Sequence, residues 1–394
     1  MIFKSRLIYI FYIFILIITT NFVDLIEGYK IFSDQSAYYK LIYAAPGYPN
    51  EAIQSFQAQR FFFPFIIGTI INFFTLENHI NTIMIIINII LIFSIILVLV
   101  NLFEKENIDK LFYPFLIAIL IFNPYFARSF IHAPLVINDL IFSLGSIFLI
   151  LGLKEKNILI LIIATSVCAL SRQTAMLIIP LFIILFIFEK KIRTDIKRFW
   201  YLLLSLEIIL IFYITLFISS EFSENFSFKN VLFGIFYFDY SFYDSFLFII
   251  RLYIANFIIL LFILKFFIDQ IYHNYDSKKI TFVLICLFLA FSFWVQPILA
   301  GPKIGGGNEA RLTVLSLPIF VYCIGVIMKN FYVKKKYLNF AVFLLIISSL
   351  HHEYSVLKKI SIYNNITFAC LSLFISIIFF IIIKRNFLYK KIKN

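Results

Sequence analysis

Long apolar segments recur along the whole chain, and their length constrains the fold more than any other feature of the sequence. An α-helix needs roughly 20 apolar residues to cross the roughly 30 Å hydrocarbon core of a bilayer. Runs of this kind appear from residues 7–23 to residues 366–383. Because lipid offers no hydrogen bonds to the backbone, only helices or closed barrels can span it. The length and repetition of these runs predict an all-α transmembrane bundle.

The composition also favours a membrane protein over a soluble domain. Hydrophobic residues make up 62% of the chain and charged residues 14%, with a mean hydropathy of +0.99. Soluble domains contain roughly 45–50% apolar and 25% charged residues. The net charge of +13 is carried by short loops, where basic residues set topology. We therefore expect membrane lipids, and no nucleic acid, as partners.

Three basic clusters predict the orientation of the chain. They lie at residues 190–198, 329–336 and 384–393. Because Lys and Arg concentrate in cytoplasmic loops, these clusters and both termini are expected to be cytoplasmic. The chain is then a multi-pass protein of the plasma (inner) membrane. Its later extracytoplasmic loops would be 220–245, 300–311 and 351–365.

The path from the first span to the cluster at Lys190 allows two interpretations. The apolar segments lie near 7–23, 61–75, 80–103, 111–127, 138–153, 157–171 and 173–189. Their odd number cannot connect two cytoplasmic ends. Either 61–75 is a short juxtamembrane or re-entrant piece, or 157–189 is one long helix broken at Ser171-Arg172. In total we expect about 12 crossings among about 13 apolar segments, with an outer loop at 24–60 that carries short helices.

Ionisable side chains in or beside the spans are the candidate functional residues. A charge at the centre of a membrane helix costs roughly 2.5–3.5 kcal/mol on insertion scales, so such residues are rare without a role. Glu207 lies in mid-span outside any motif and is interpreted as a polar contact between helices. The remaining candidates are Asp34, Arg60, Arg128, His132, Asp139, Arg172, Arg251, Lys303, Glu309 and Arg311.

Two of these candidates belong to the first outer loop. Asp34 follows the first span within FSDQSAYY and is succeeded by Tyr38 and Tyr39. A carboxylate at the outer face can act as a general base, although a solvated loop acid would give the same pattern. Arg60 opens RFFFPF, where a guanidinium can hold phosphate oxygens bidentately or anchor the chain at the interface.

Two further motifs indicate breaks in the apolar helices. The segment 121–140 combines two prolines with Arg128, His132 and Asp139, and irregular backbone at membrane depth requires protein or a water-filled cavity beside it. Asp139 begins the next helix, where a carboxylate also serves as a cap. Arg172 lies near the middle of an apolar region. A break that places Arg172 at a cavity is the economical interpretation.

A Gly-rich stretch, GPKIGGGNEARL at 301–312, carries Lys303, Glu309 and Arg311. It lies between spans and not at a strand-to-helix turn, so it does not fit a nucleotide-binding fingerprint. As an extracytoplasmic loop it is either a phosphate clamp or lid, or a plain turn.

In their order and placement these motifs resemble the membrane-embedded GT-C glycosyltransferases, the superfamily of the protein O-mannosyltransferases and the lipid A aminoarabinose transferases. The likeness covers residues 1–190, with a weaker echo at 300–318. We therefore expect a catalytic transmembrane module at 1–190 and variable C-terminal helices at 191–394. The matching elements are Asp34 with its tyrosines, Arg60, the Asn123-Pro124 break leading to Asp139, SRQTA at Arg172, and Arg311 before Leu317-Pro318.

The resemblance implies an inverting transferase that moves a sugar from a polyprenyl phosphate to an envelope lipid, glycan or protein on the extracytoplasmic face. Asp34 would then be the catalytic base, and Asp139 would orient the acceptor or a basic partner. No metal ligands are assigned, and a divalent cation requirement is left open. The donor phosphate would be held by Arg60, Arg172, Lys303 and Arg311. The substrate-binding residues would be Tyr38, Tyr39, Arg128, His132 and Glu309.

Two other functions compete with this interpretation. An envelope polysaccharide polymerase or ligase also carries arginines in outer loops, but its large catalytic loops come late in the chain. Here the longest outer loop is the first, at 24–60. A transporter or flippase of lipid-linked sugars is the third hypothesis. The internal repeats that transporters often show are not detectable in this sequence.

Overall fold

The structure is a computed structural model of the 394-residue chain. It describes residues 2–22, 33–192, 198–224, 258–269, 277–305, 309–329, 333–350, 354–356, 370, 373–378 and 380–381. Within these ranges the backbone alone is described for residues 2–6, 33, 189–192, 277–279, 298–305 and 309–310.

The described residues form an all-α bundle, as the apolar pattern predicts. Two short strands are the exception, Ile53–Gln54 (β1) and Ser223–Glu224 (β2), which pair in parallel with Ile53 opposite Ser223. One large apolar core joins helices from both halves of the chain, and the predicted division at residue 190 stays a prediction. The helices up to residue 132 are α1 Ile2–Thr19, α2 Ser33–Ala44, α3 Ser55–Ala58, α4 Phe62–Phe73, α5 Ile80–Lys105, α6 Tyr113–Ile121 and α7 Ser129–His132.

The remaining helices carry the second half of the bundle. A 3-10 segment, Gln173–Ile178, lies between the helices Ile158–Ser171 and Ile179–Ile192. The helices are α8 Ile137–Glu155, α9 Ile158–Ser171, α10 Ile179–Ile192, α11 Phe199–Ser219, α12 258–269, α13 Ser277–Gly305, α14 Glu309–Thr313, α15 Leu317–Met328 and α16 Lys335–Leu350.

Several of these helices are long and apolar enough to cross a bilayer. By length and composition, five qualify in the described part of the chain, or six if the bent pair Tyr113–Ile121 and Pro124–His132 is one span. The predicted total of about 12 crossings stays a prediction. The sequence also has an apolar segment near 246–268. About half of this segment and of the segment 366–383, and most of the predicted loops 220–245 and 351–365, lie outside the described residues.

The short helix α4 supports the juxtamembrane interpretation of residues 61–75. Its 12 residues would extend only about 18 Å at 1.5 Å per residue, less than the hydrocarbon thickness. It packs along α2, and a Cβ added at Gly68 would lie 2.3 Å from the Ile42 carbonyl oxygen. The Asn72 amide donates to the carbonyl oxygens of Ile42 and Tyr43, at 3.2 and 3.1 Å, where α2 ends.

The other interpretation is that residues 157–189 form one long helix broken at Ser171-Arg172. The break is present, but a single long helix is wrong because the chain reverses at Arg172. Helix α9 contacts the middle of α11, where Thr165 and Ser166 both donate to the Glu207 carboxylate. Helix α10 then runs back along α11, since Met176 packs on Phe212 and Leu216 while the Phe182 ring lies 6.0 Å from the Tyr201 ring. The interpretation of Glu207 as a contact between helices is confirmed.

The predicted break at 121–140 is present. A π-helical turn, Pro124–Arg128, follows α6, and the two parts of the pair bend by 46°. The Asn123 side chain caps this turn by accepting from the Tyr125 N–H at 3.0 Å. The predicted loop at 300–311, in contrast, is largely helical, because α13 continues to Gly305 and α14 begins at Glu309. Residues 306–308 lie outside the described part.

A polar clasp joins α5, α8 and α15 at one end of the bundle. Lys154, at the end of α8, pairs with the buried Glu106 carboxylate. The Tyr322 hydroxyl donates to the same carboxylate at 2.9 Å, and Lys329 Nζ donates to the Glu106 carbonyl oxygen at 2.6 Å. Since Asp139 lies in the first turn of α8, about 22 Å of helix separates it from the clasp.

The close packing at Gly68 gives a first test. We expect Gly68→Ala to lower the free energy of unfolding by about 1–3 kcal/mol, because the added methyl would collide with α2 backbone that cannot move aside cheaply. The exposed neighbour Ile70, whose exposed fraction is 54%, provides the control Ile70→Val. Denaturant titration of the purified protein in detergent measures both, and equal stability of the two variants would contradict the packing.

Candidate functional site

A buried carboxylate at the start of α2 is the first component of the site. Asp34 is 6% exposed, and its two carboxylate oxygens have different partners. Arg311 Nη2 donates to Asp34 Oδ2 at 2.5 Å, and Gln57 Nε2 donates to Asp34 Oδ1 at 2.7 Å. The interpretation of Asp34 as a solvated loop acid is therefore wrong for this structure.

Arg311 links this carboxylate to a second one. Arg311 Nε lies 3.3 Å from Asp139 Oδ2, and Arg172 Nη1 donates to Asp139 Oδ1. Negative and positive side chains thus alternate in the order Asp34, Arg311, Asp139, Arg172. All four are nearly or fully buried. Residues separated by up to 277 positions in sequence meet here.

Interruptions of regular structure bring these side chains together. Arg172 has extended backbone, with φ −154° and ψ 145°, at the turn between α9 and the 3-10 segment. Asp139 lies in the first turn of α8, but no side chain caps that helix at Val136. The Asp139 carboxylate makes ion pairs instead. Interpreting Asp139 as a cap alone is therefore wrong.

Arg60, between α3 and α4, extends the cluster. Arg60 Nε donates to Gln173 Oε1 at 2.8 Å, and its carbonyl oxygen accepts from Asn138 Nδ2 at 2.9 Å. Gln173 Nε2 in turn donates to the Phe56 carbonyl oxygen at 2.6 Å. Arg60 therefore contacts Asn138 and Gln173, the sequence neighbours of Asp139 and Arg172. An arginine that only anchors the chain at a membrane interface would not need these contacts.

The electrostatics of the cluster keep Asp34 ionised. Burial by itself raises the pKa of the Asp34 carboxyl, but the charges of Arg311 and Arg60 and the hydrogen bonds from Gln57 and Arg311 outweigh it. They lower its pKa from 3.8 to about 2. Opposite charges and donated hydrogen bonds both favour the charged form.

Positive charge exceeds negative charge among these described side chains. Arg60, Arg172 and Arg311 carry +3, and Asp34 and Asp139 carry −2, which leaves +1. Two guanidinium nitrogens, Arg172 Nε and Arg311 Nε, are buried without a well-aligned hydrogen-bond acceptor in the described part of the chain. Buried donors of this kind are costly unless a ligand or water satisfies them.

The two predicted tyrosines are placed differently. Tyr38 is fully buried beside Arg60 and belongs to the cluster. Tyr39 is partly exposed, and its ring stacks on Tyr43 at 5.9 Å. The structure therefore places Tyr38 beside the arginine Arg60 and the Tyr39 ring against Tyr43.

Arg128 and His132 form a separate cluster. The fully buried Arg128 guanidinium donates to Ser349 Oγ at 3.1 Å, to Thr19 Oγ1 at 3.0 Å and to the Thr19 carbonyl oxygen at 2.5 Å. His132 Nδ1 lies 2.5 Å from the Asn21 carbonyl oxygen, and its ring stacks on Tyr354. These contacts join α1, the π-helical turn and α16. The substrate-binding role predicted for these two side chains stays a prediction.

The remaining predicted residues lie where the backbone alone is described. Lys303 is in the last turns of α13, and Glu309 is the first residue of α14. Their side chains fall outside the described part, so their predicted roles are untested. The predicted Arg251 also lies outside the described residues.

Sequence reasoning missed the two glutamines that hold the cluster in place. Gln57 fixes one oxygen of Asp34, and Gln173 connects Arg60 to the backbone of Phe56. Both are nearly buried. Gln173 directly follows Arg172 within SRQTA, and a buried amide beside a buried charge was the available signal. Gln35, next to Asp34, contacts the backbone N–H of Leu135 at 3.5 Å.

Comparisons with known proteins add no assignment. No protein-family model, no curated protein and no solved structure matches this chain. Among the residues that the structure describes, no three His, Cys, Asp or Glu side chains are grouped to hold a metal ion. The cluster of buried charges is therefore the feature from which a function can be inferred.

The Asp139 carboxylate should be essential for stability. We expect Asp139→Asn to lower the free energy of unfolding by about 3–5 kcal/mol, because it leaves Arg172 and Arg311 buried without their shared partner. The control is Glu51→Gln, which removes an exposed ion pair with Lys40 and should have little effect. Denaturant titration in detergent compares the two, and a stable Asp139→Asn protein would contradict the arrangement.

The low pKa of Asp34 predicts a dependence of stability on pH. Because the folded-state pKa is below the ordinary value, the stabilisation is complete above about pH 3.8 and is lost as the pH falls through about 2. We expect the stability difference between wild type and Asp34→Asn to be constant at neutral pH and to shrink below pH 3.8. A difference that does not change down to pH 2 would contradict this assignment.

Proposed function

We propose that the protein is a membrane glycosyltransferase that moves a sugar from a polyprenyl phosphate donor to an envelope acceptor. The observation that carries the proposal is the buried cluster in which Arg60, Arg172 and Arg311 surround Asp34 and Asp139. Guanidinium groups in a water-poor site stabilise the negative charge that develops on a departing phosphate. A carboxylate beside them supplies the base for the acceptor hydroxyl.

The charge of the cluster supports a donor with one phosphate. The described side chains sum to +1, and a sugar phosphodiester of a polyprenol carries −1. After transfer, Asp34 would hold a proton, which raises the cluster to +2, while the polyprenyl phosphate leaves with up to −2. Charges therefore balance before and after the step, which limits the cost of an uncompensated buried charge.

In this mechanism a single displacement inverts the sugar carbon. The acceptor oxygen forms a bond to that carbon as its proton passes to the Asp34 carboxylate. The bond between the carbon and the phosphate oxygen breaks, and its electron pair leaves with the polyprenyl phosphate. Arg60, Arg172 and Arg311 hold that phosphate, and Asp139 keeps Arg172 and Arg311 in position.

The position of the cluster in the bundle supports an extracytoplasmic site. It lies at the end of α8 opposite to Lys154, and Lys329 at the clasp is followed by Lys334, Lys335 and Lys336. Basic residues of this density favour the cytoplasmic side. Nucleotide sugars are confined to the cytosol, so a site on the other side requires a membrane-borne donor. In this proposal Lys303, Glu309, Arg128, His132 and Tyr39 remain candidate substrate contacts, and a divalent cation requirement is open.

The proposal is tested at Asp34. We expect Asp34→Asn to reduce transfer at least 10²-fold to 10⁴-fold, the usual range for loss of a catalytic base, while the protein still inserts into the membrane. Lipid and glycan extracts from cells that carry each variant, compared by mass spectrometry, reveal the missing product.

Glu51→Gln is the matched control, since it removes an exposed acid from the same outer segment, and transfer should be retained. Full activity of Asp34→Asn would remove Asp34 from the mechanism. Uptake of a lipid-linked sugar into proteoliposomes without bond formation would favour a transporter instead.

A further inference from the structure

The partners of Asp34 raise a question about how it could act as a base. Both of its oxygens are occupied, one by Arg311 and the other by Gln57. A carboxylate held in this way is a weak base, because its neighbours stabilise the charged form. Each carboxylate oxygen already accepts one hydrogen bond, and the residue is only 6% exposed, so an acceptor hydroxyl would compete with Arg311 or Gln57 for the carboxylate. The arrangement that buries Asp34 therefore also hinders its action as a base.

Arg311 is the partner that can turn away from Asp34 and still remain in the site, because it also contacts Asp139. Its Nη2 holds Asp34 at 2.5 Å, whereas its Nε lies 3.3 Å from Asp139 Oδ2 without good hydrogen-bond alignment. Asp139 is held independently by Arg172. Asp139 can therefore keep Arg311 in the site while the outer end of the guanidinium turns to another acceptor.

Gln57 would keep Asp34 in place during such a turn. It donates to Oδ1, the oxygen that Arg311 does not contact. If Arg311 left, Oδ2 would become the free oxygen and Oδ1 would remain fixed. The proton of an incoming hydroxyl would then be accepted at a defined atom.

We propose that Arg311 is exchanged between Asp34 and the phosphate of the donor, so that donor binding frees Asp34 Oδ2 for the acceptor hydroxyl. This inference rests on the proposed function. A phosphate offers guanidinium a bidentate acceptor, and the excess of one positive charge in the described cluster attracts an anion. Because Asp34 is hindered as a base until the donor has bound, the donor binds before the acceptor. The donor is then not hydrolysed by a base that is permanently active.

The exchange can be measured without sugar transfer. Full-length protein labelled with ¹³C at the Asp carboxyl groups is placed in nanodiscs, and undecaprenyl phosphate is added as the probe. Infrared difference spectra report the carboxylate band of Asp34, which Asp34→Asn identifies by its loss and Asp34→Glu by its displacement. We expect the wild-type band to shift when the probe binds, because the Asp34 oxygen loses its guanidinium donor.

Arg311→Gln provides the second measurement. In this variant we expect the Asp34 band to lie at the released position before the probe is added and to stay there afterwards. A wild-type band that does not shift while the probe is bound would overturn the exchange, and so would failure of the probe to bind at all. If Arg311→Gln does not fold, the wild-type shift decides alone.

The same experiment separates this inference from the proposed function. Sugar transfer by a protein whose Asp34 band does not move would overturn the exchange and leave the transferase standing. A band that moves in a protein without transferase activity would support the exchange and count against the transferase. In an active protein, the polyprenyl phosphate product should compete with the donor, and acceptor binding should be lost when the donor is absent.

Discussion

The pairing of Arg311 with two aspartates is the interaction on which the arrangement of the site depends. A buried charge is tolerated only when it is paired and hydrogen-bonded, so each of these side chains requires the others. Asp34 comes from the first turn of α2, Asp139 from the start of α8, and Arg311 from α14. Their mutual need for charge compensation joins the first and second halves of the chain at one end of the bundle. A site confined to residues 1–190 would lack this central cation.

The opposite end of the bundle shows how the helices are held in register. Helices α8 and α15 both contact the Glu106 clasp, through Lys154 and Tyr322. Asp139 and Arg311 lie at the other ends of the same two regions of chain. Apolar packing between helices is nearly non-directional, so it fixes their axial positions poorly. Polar contacts at both ends of the bundle fix the axial positions of the helices, and the apolar core between these ends supplies most of the buried surface.

The sequence was informative where burial carries a high cost. Charges in apolar segments are rare, so Asp34, Arg60, Asp139, Arg172 and Arg311 could be selected without a structure, and the structure places all five in one cluster. The helical character of the chain and the break at Asn123-Pro124 followed from apolar length and proline chemistry.

The prediction from sequence failed at residues 300–311, where glycine suggested a loop but the backbone is largely helical. It also failed to separate Arg128 from the cluster, because helical spacing cannot be followed through the π-helical turn and the irregular residues 133–136. Gln57 and Gln173 were missed because only ionisable residues were selected as candidates, although Gln173 directly follows Arg172.

The contrast between Arg128 and Arg311 shows what distinguishes a structural cation from a candidate binding group. Arg128 donates to a carbonyl and to hydroxyls of Thr19 and Ser349, which are neutral acceptors fixed on neighbouring helices. Moving it would leave those groups unsatisfied and would gain nothing from an incoming anion. Arg311 lies between two carboxylates, and one of its nitrogens is poorly aligned with its acceptor. Both arginines are buried to a similar degree. The difference lies in whether a partner can be replaced, because a phosphate competes with a carboxylate for guanidinium far better than it replaces a fixed backbone carbonyl.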